Sequence, residues 1–190
     1  MAFLALVEIF DIIVMSFAVG FIFSGIFKRT AEEEYYPLKE SSSRFNWKDL
    51  QFAILIAAPG IIFHEFGHKI VALSFGLSAT FHAAYVWLVL GVALKLSGFP
   101  FIFFVPAYVT IYGGVSPLVH SLIAFAGPGV NLILWLGTLF LMKTKIVKKK
   151  YYPIVYLTSR INMFLFIFNM IPFPPFDGYT VFQGIIQTLL

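Results

Sequence analysis

The chain has 190 residues, 60% of them hydrophobic and 12% charged, with a formal net charge of +4 and a mean hydropathy of +0.91. A soluble domain carries about 25% charged residues, so an ordinary soluble globule is excluded and an integral, multi-pass protein of the cell membrane is expected. The absence of cysteine excludes disulfides and thiolate metal ligands. The positive surplus gathers in "KTKIVKKK" (143–150), which suits anionic lipid headgroups of the bilayer rather than nucleic acid.

Segment 2–27 predicts a first membrane helix closed by Lys28 and Arg29. It lacks a basic leader and a small-residue cleavage site, so it reads as a retained helix rather than a signal peptide. Its two acids, Glu8 and Asp11, are expected to face a cavity or lie near an interface, and the interface is preferred. Residues 28–50 read as a polar surface linker. Asp49 is the expected N-cap of a second helix over 50–75, ending near Gly76. Segment 81–97 is apolar but short for a full crossing, which suits a re-entrant element. Residues 99–114, "FPFIFFVPAYVTIYGG", are rich in aromatic and β-branched residues with Pro106 at the middle, and predict a short membrane-associated β-hairpin. Segments 117–142 and 153–171 predict two further membrane helices. The second breaks in "NMIPFPPFDG", where three prolines within four residues forbid a regular helix. Segment 178–190 is too short to span alone. Tyr35, Tyr36, Trp47, Tyr151 and Tyr152 fall at segment ends, as interfacial aromatics do. The expected fold is an all-α polytopic membrane protein with about five to six membrane helices and a short hairpin. It forms one membrane-embedded domain over 1–190, with a first helix and linker (1–50) and a core (51–180).

The polar residues of the second helix carry the chemistry. In "FHEFGHKI" (63–70), His64 and His68 stand four apart, about 40° around a helix axis and one turn along it. Two imidazoles can then reach one ion, with Glu65 beside them to act as a base towards water, the HExxH arrangement of zinc hydrolases. The competing reading is a pair of histidines hydrogen-bonded to neighbouring helices. Mid-membrane placement weighs against it, because titratable groups there are costly and usually functional. A catalytic zinc takes three protein ligands and keeps one open position. Beyond Glu65 the chain holds one acid, Asp177, and two other histidines, His82 and His120. Asp177 follows the proline-broken stretch, where unwound backbone can carry a short carboxylate to a neighbouring helix. Gly178 after it permits unusual backbone. Asp177 is preferred as third ligand and His120 comes second. Taken alone, "PFPPFDG" would be a plain turn.

"HEFGH" (64–68) with "NMIPFPPFDG" (169–178) resembles the site-2 protease family of intramembrane zinc metalloproteases, and "AGPGVN" (126–131) resembles that family's Gly-x-x-x-Asn step. The resemblance covers about residues 50–180. It implies peptide-bond hydrolysis inside the membrane, acting on transmembrane protein substrates. One Zn2+ ion would be held by His64, His68 and Asp177, with Glu65 as catalytic base and Asn169 near the substrate or the developing oxyanion. Tyr179 departs from the pattern, since many relatives have a second glycine there, and the chain has no PDZ-like insertion to select substrates. In "AGPGVN", Gly127 reads as a helix-packing residue and Asn131 as a hydrogen-bonding residue between helices. The main competing function is a transporter or proton relay built on the buried His/Asp cluster; it predicts internal symmetry, which the sequence lacks. A catalytically dead scaffold predicts loss of Glu65 or a ligand, and all are present.

Overall fold

The apolar runs fold as helices, and a computed structural model describes residues 3–26, 46–99, 105–144 and 146–190. Most of the expected linker, with Tyr35 and Tyr36, lies outside the described residues, as do residues 100–104 of the expected hairpin. In chain order the elements are α1 (Leu6–Phe23), α2 (Trp47–Ser74), β1 (Ser78–Ala83), α3 (Tyr85–Leu96), β2 (Ala107–Tyr112), α4 (Pro117–Lys143), a short 3-10 turn (Lys149–Tyr151), α5 (Tyr152–Asn169) and α6 (Asp177–Leu189). Among these, α1, α2 and α4 are long and apolar enough to cross a membrane. The described residues are thus mostly helical, with three such helices and one two-stranded sheet among them.

The described residues divide into two compact units, Met1–Pro59 with Ala83–Ala107 and Gly60–His82 with Tyr108–Leu190. In the first, α1 buries Glu8, Asp11, Met15, Val19 and Ile22, a stripe at helical spacing. Leu6, Val7, Phe10 and Ile13 stay exposed, the pattern of a helix whose solvent is hydrocarbon and whose polar groups turn inward. Glu8 and Asp11 are both buried against protein, 3% and 4% exposed. Glu8 reaches back to the Ala5 N–H at 2.8 Å. Asp11 accepts from the Ala83 N–H at 3.2 Å and from the Tyr85 hydroxyl. At the other end of α1, the Lys95 ammonium donates to the Ser24 carbonyl (2.7 Å), the Ser24 hydroxyl (2.6 Å) and the Phe21 carbonyl. A cation there complements the carbonyls at the end of the helix.

The second helix starts three residues earlier than its expected span. Asn46, not Asp49, caps it, accepting the Lys48 N–H at 2.9 Å, while Asp49 lies in the first turn, where a carboxylate still complements the helix dipole. Gly76, at φ +76°, terminates the turn that follows α2.

The sequence places the expected hairpin within 99–114. Among the described residues β2 pairs with β1, upstream of α3, a pairing that the reading of 99–114 by itself does not include. The sequence "SATFHA" of β1 merges with the apolar run after it, so alternation over so few residues could not separate strand from helix. The 12-residue α3 between the strands is about 18 Å long, too short to cross.

In the second unit α4 is the hub. Ser116 accepts the Val119 N–H at 3.4 Å and Pro117 occupies the first turn, the residue types that favour a helix start. Both α5 and α6 pack on α4. Gly184 lets α6 close on it, since a Cβ there would stand 2.2 Å from Ser121 Oγ and 2.4 Å from the Pro117 carbonyl oxygen. Ser121 donates to the Val181 carbonyl at 2.9 Å. Gly178 acts through size rather than backbone freedom. It is absent from the glycines with positive φ, but a Cβ would lie 2.5 Å from the Met170 carbonyl carbon and oxygen. The first turn of α6 therefore presses on the end of α5, which sets where Asp177 points.

Candidate metal centre

His64 and His68 lie on α2, and the α4 backbone faces them. A Cβ on Gly127 would sit 2.3 Å from His68 Nε2 and 2.8 Å from His64 Nε2. Gly127 is therefore not a packing residue alone; its missing side chain leaves the space in which the two Nε2 atoms converge. The close helix contact is made by Gly67 instead, inside "HEFGH", whose Cβ would meet the Ala126 carbonyl oxygen at 2.6 Å. Two glycines, one on each helix, allow this approach.

Asp177 arrives at the start of α6. Its Oδ2 lies 3.1 Å from His64 Nε2 and 3.4 Å from His68 Nε2, and the two Nε2 atoms are 3.1 Å apart. Ligands about 2.0–2.1 Å from a tetrahedral zinc stand about 3.3–3.4 Å from one another. The donor triangle thus has nearly the size that zinc needs, and two imidazoles with one carboxylate are donors zinc accepts. Among the described residues these three form a group able to hold a metal ion.

The other ring nitrogen of each histidine is occupied. His64 Nδ1 is 2.6 Å from Asn131 Oδ1, and His68 Nδ1 donates to the Ile123 carbonyl at 2.8 Å. Burial is uneven. His64, Glu65 and His68 are each 7% exposed, whereas the Asp177 side chain is 25% exposed, so the cluster opens on the Asp177 side.

The structure brings His64, His68 and Asp177 together, with Glu65 buried on the same helix as the histidines. Asn169 is the last residue of α5, half-buried, and makes none of the hydrogen bonds that hold the three. His120 is exposed in the first turn of α4, and His82 stacks near Tyr108 on the sheet, ring centroids 5.4 Å apart; neither joins the group. Asn162, missed in the sequence, proves to be fully buried beside Asn131, accepting from its amide at 2.9 Å. The available signal was its spacing: Ser159 and Asn162 put polar groups on one face of an otherwise apolar helix, which points into a bundle.

An HExxH helix whose histidines meet an aspartate from a distant helix offers the donors of a zinc site. The comparisons with known proteins point to the same metal. A protein of Methanocaldococcus jannaschii, provisionally named a zinc metalloprotease, is 36% identical over 179 residues, covering 93% of this chain and 83% of the relative. The chain belongs to that zinc metalloprotease family. A Synechocystis protein with the same provisional name is 31% identical over 135 residues, 70% of this chain but only 31% of the relative. No protein-family profile matches the chain, and no solved structure does.

Proposed function

We propose that the chain is a zinc-dependent intramembrane endopeptidase of the site-2 protease type, hydrolysing peptide bonds in or near transmembrane helices of other proteins as a step of regulated intramembrane proteolysis. The observation that carries this reading is the three-donor cluster of tetrahedral size that Asp177 of α6 forms with His64 and His68 of α2, the latter a helix long and apolar enough to span the bilayer. The roles follow from chemistry. His64, His68 and Asp177 would hold one zinc ion. When bound, zinc supplies Lewis acidity that makes water a nucleophile near neutral pH. Glu65 accepts the proton of the attacking water and returns it to the leaving amine. Asn169 donates to the oxyanion, a contribution of about 3 kcal/mol for a single donor. Water enters from the more exposed Asp177 side. The substrate must be extended to present its carbonyls, and an edge of the β1–β2 sheet offers backbone pairing for it.

The same reading makes α3, α5 and α6 membrane-associated, completing five to six membrane helices in one catalytic domain. The exposed lysines Lys143, Lys148, Lys149 and Lys150, with Tyr151 and Tyr152 beside them, would face anionic headgroups of the cell membrane.

The test is metal analysis of the purified chain beside Glu65→Gln and Asp177→Ala, with cleavage of a designed transmembrane helix in liposomes. Glu65→Gln is expected to keep zinc and lose cleavage, and Asp177→Ala to lose both. Cleavage that persists in Glu65→Gln would remove the mechanism.

A further inference from the structure

The hydrogen bonds behind His64 differ in kind from those behind His68. His68 Nδ1 meets a backbone carbonyl, which can only accept. His64 Nδ1 meets a side-chain amide, whose oxygen and nitrogen could in principle exchange places. Two further carbonyls remove that freedom. The Asn131 amide nitrogen donates to the Gly60 carbonyl at 3.0 Å and to Asn162 Oδ1 at 2.9 Å. The Asn162 amide nitrogen donates to the Thr158 carbonyl at 2.8 Å. Turning either amide around would set oxygen against oxygen. Both asparagines are 0% exposed, so water cannot take over a lost bond. Gly60 makes room for the pair, as a Cβ there would stand 3.2 Å from Asn162 Oδ1.

We propose that Asn131 and Asn162 form a two-amide relay, anchored on the Gly60 and Thr158 carbonyls, that holds His64 in the one tautomer and orientation leaving its Nε2 free for zinc. With Asn131 Oδ1 fixed as an acceptor, Nδ1 of His64 must carry the hydrogen and Nε2 must present the lone pair. Asn131 and Asn162 are positioning residues: Asn162 touches neither the donors nor His64 and acts through Asn131. The proposal rests on the zinc reading of His64.

It is tested on the full chain, reconstituted in nanodiscs, by zinc affinity from chelator competition. Partners of this kind are worth about 10- to 100-fold in metal affinity. Asn131→Leu is expected to lose affinity within that range, and Asn162→Leu to lose about tenfold. Asn162→Asp is expected to restore near wild-type affinity, because a buried carboxylic acid can still accept from Asn131 and donate to Thr158. Should the leucine variants fail to fold, nitrogen NMR of the zinc-loaded wild type decides. Hydrogen on His64 Nδ1 is expected, and metal on that nitrogen would overturn the relay. Unchanged affinity in folded Asn162→Leu, or a loss that Asn162→Asp shares in full, would also overturn it. His64→Ala separates the two levels. Retained zinc affinity there sinks the zinc reading and the relay together, whereas its loss beside unchanged Asn131→Leu and Asn162→Leu sinks the relay alone.

Discussion

Among the described residues, the buried polar groups around α1 and those around α2 are built on opposite plans. Around α1, acceptors face donors: Asp11 takes a hydrogen bond on each carboxylate oxygen, and Lys95 answers carbonyls at the helix end. Around α2, acceptors face acceptors: two imidazole nitrogens and a carboxylate oxygen converge within 3.1–3.4 Å. The first arrangement is complete with protein atoms and needs nothing more. The second concentrates lone pairs that only protons or a cation can reconcile, and it does so beside a glycine that keeps the space open. In a medium where each unpaired polar group costs several kcal/mol, that difference separates a structural cluster from a functional one.

The sharpest way to break the comparison is to delete a converging donor. A complete zinc site supplies about 10–16 kcal/mol of binding free energy, so the loss of one donor among three in Asp177→Ala should weaken zinc binding by about a thousand-fold or more. Zinc content after dialysis against a weak chelator measures it. Glu65→Gln removes the base and leaves the donors. Turnover of a transmembrane substrate should fall by about 10²- to 10⁴-fold, with zinc content unchanged.

Gly127→Ala probes the space rather than the donors. Its Cβ would fall 2.3 Å from His68 Nε2, so the ring must move away from its partners, and zinc affinity should drop by at least about tenfold. Gly184→Ala is the matched control. It forces a comparable overlap, 2.2 Å from Ser121 Oγ, but between α4 and α6 at a distance from the donors along both helices. It should destabilise the fold by about 1–3 kcal/mol, read as a lower denaturation midpoint. If both glycine variants lost zinc equally, the contrast between packing and site would fail.

How far the sequence revealed this depends on which signal each feature leaves. The HExxH spacing fixes the relation of His64 to His68 because a helix transmits it over one turn. The three prolines before Asp177 mark an unwound stretch, and composition alone sets out the long apolar helices. The partner of β2 was hidden, since a strand of six residues inside an apolar run carries too short a pattern and its pairing is set by the packing of the whole chain. The burial of Asp11 was hidden for a related reason. Its partners, such as Tyr85, lie far along the chain. Gly178 was read for backbone freedom when its use is closeness to Met170, which no single-chain pattern encodes. Asn162 was legible in principle, as a polar group recurring on the inner face of α5, but its meaning appears only beside Asn131.

The smallest expected effect belongs to the complete cluster. Tyr85→Phe removes the hydroxyl that donates to Asp11 while keeping the ring. The net contribution of one hydrogen bond to stability is about 0.5–1.5 kcal/mol, and Asp11 keeps the bond from the Ala83 N–H. The loss should then be about 1 kcal/mol in unfolding free energy. Zinc affinity should not change, because neither Tyr85 nor Asp11 supplies a donor to the converging triad. The measurement pairs a denaturation curve with chelator competition on the same preparation. A clear fall in zinc affinity from so peripheral a deletion would show that the two clusters are not independent, and that the acids of α1 share the work assigned here to α2 and α6.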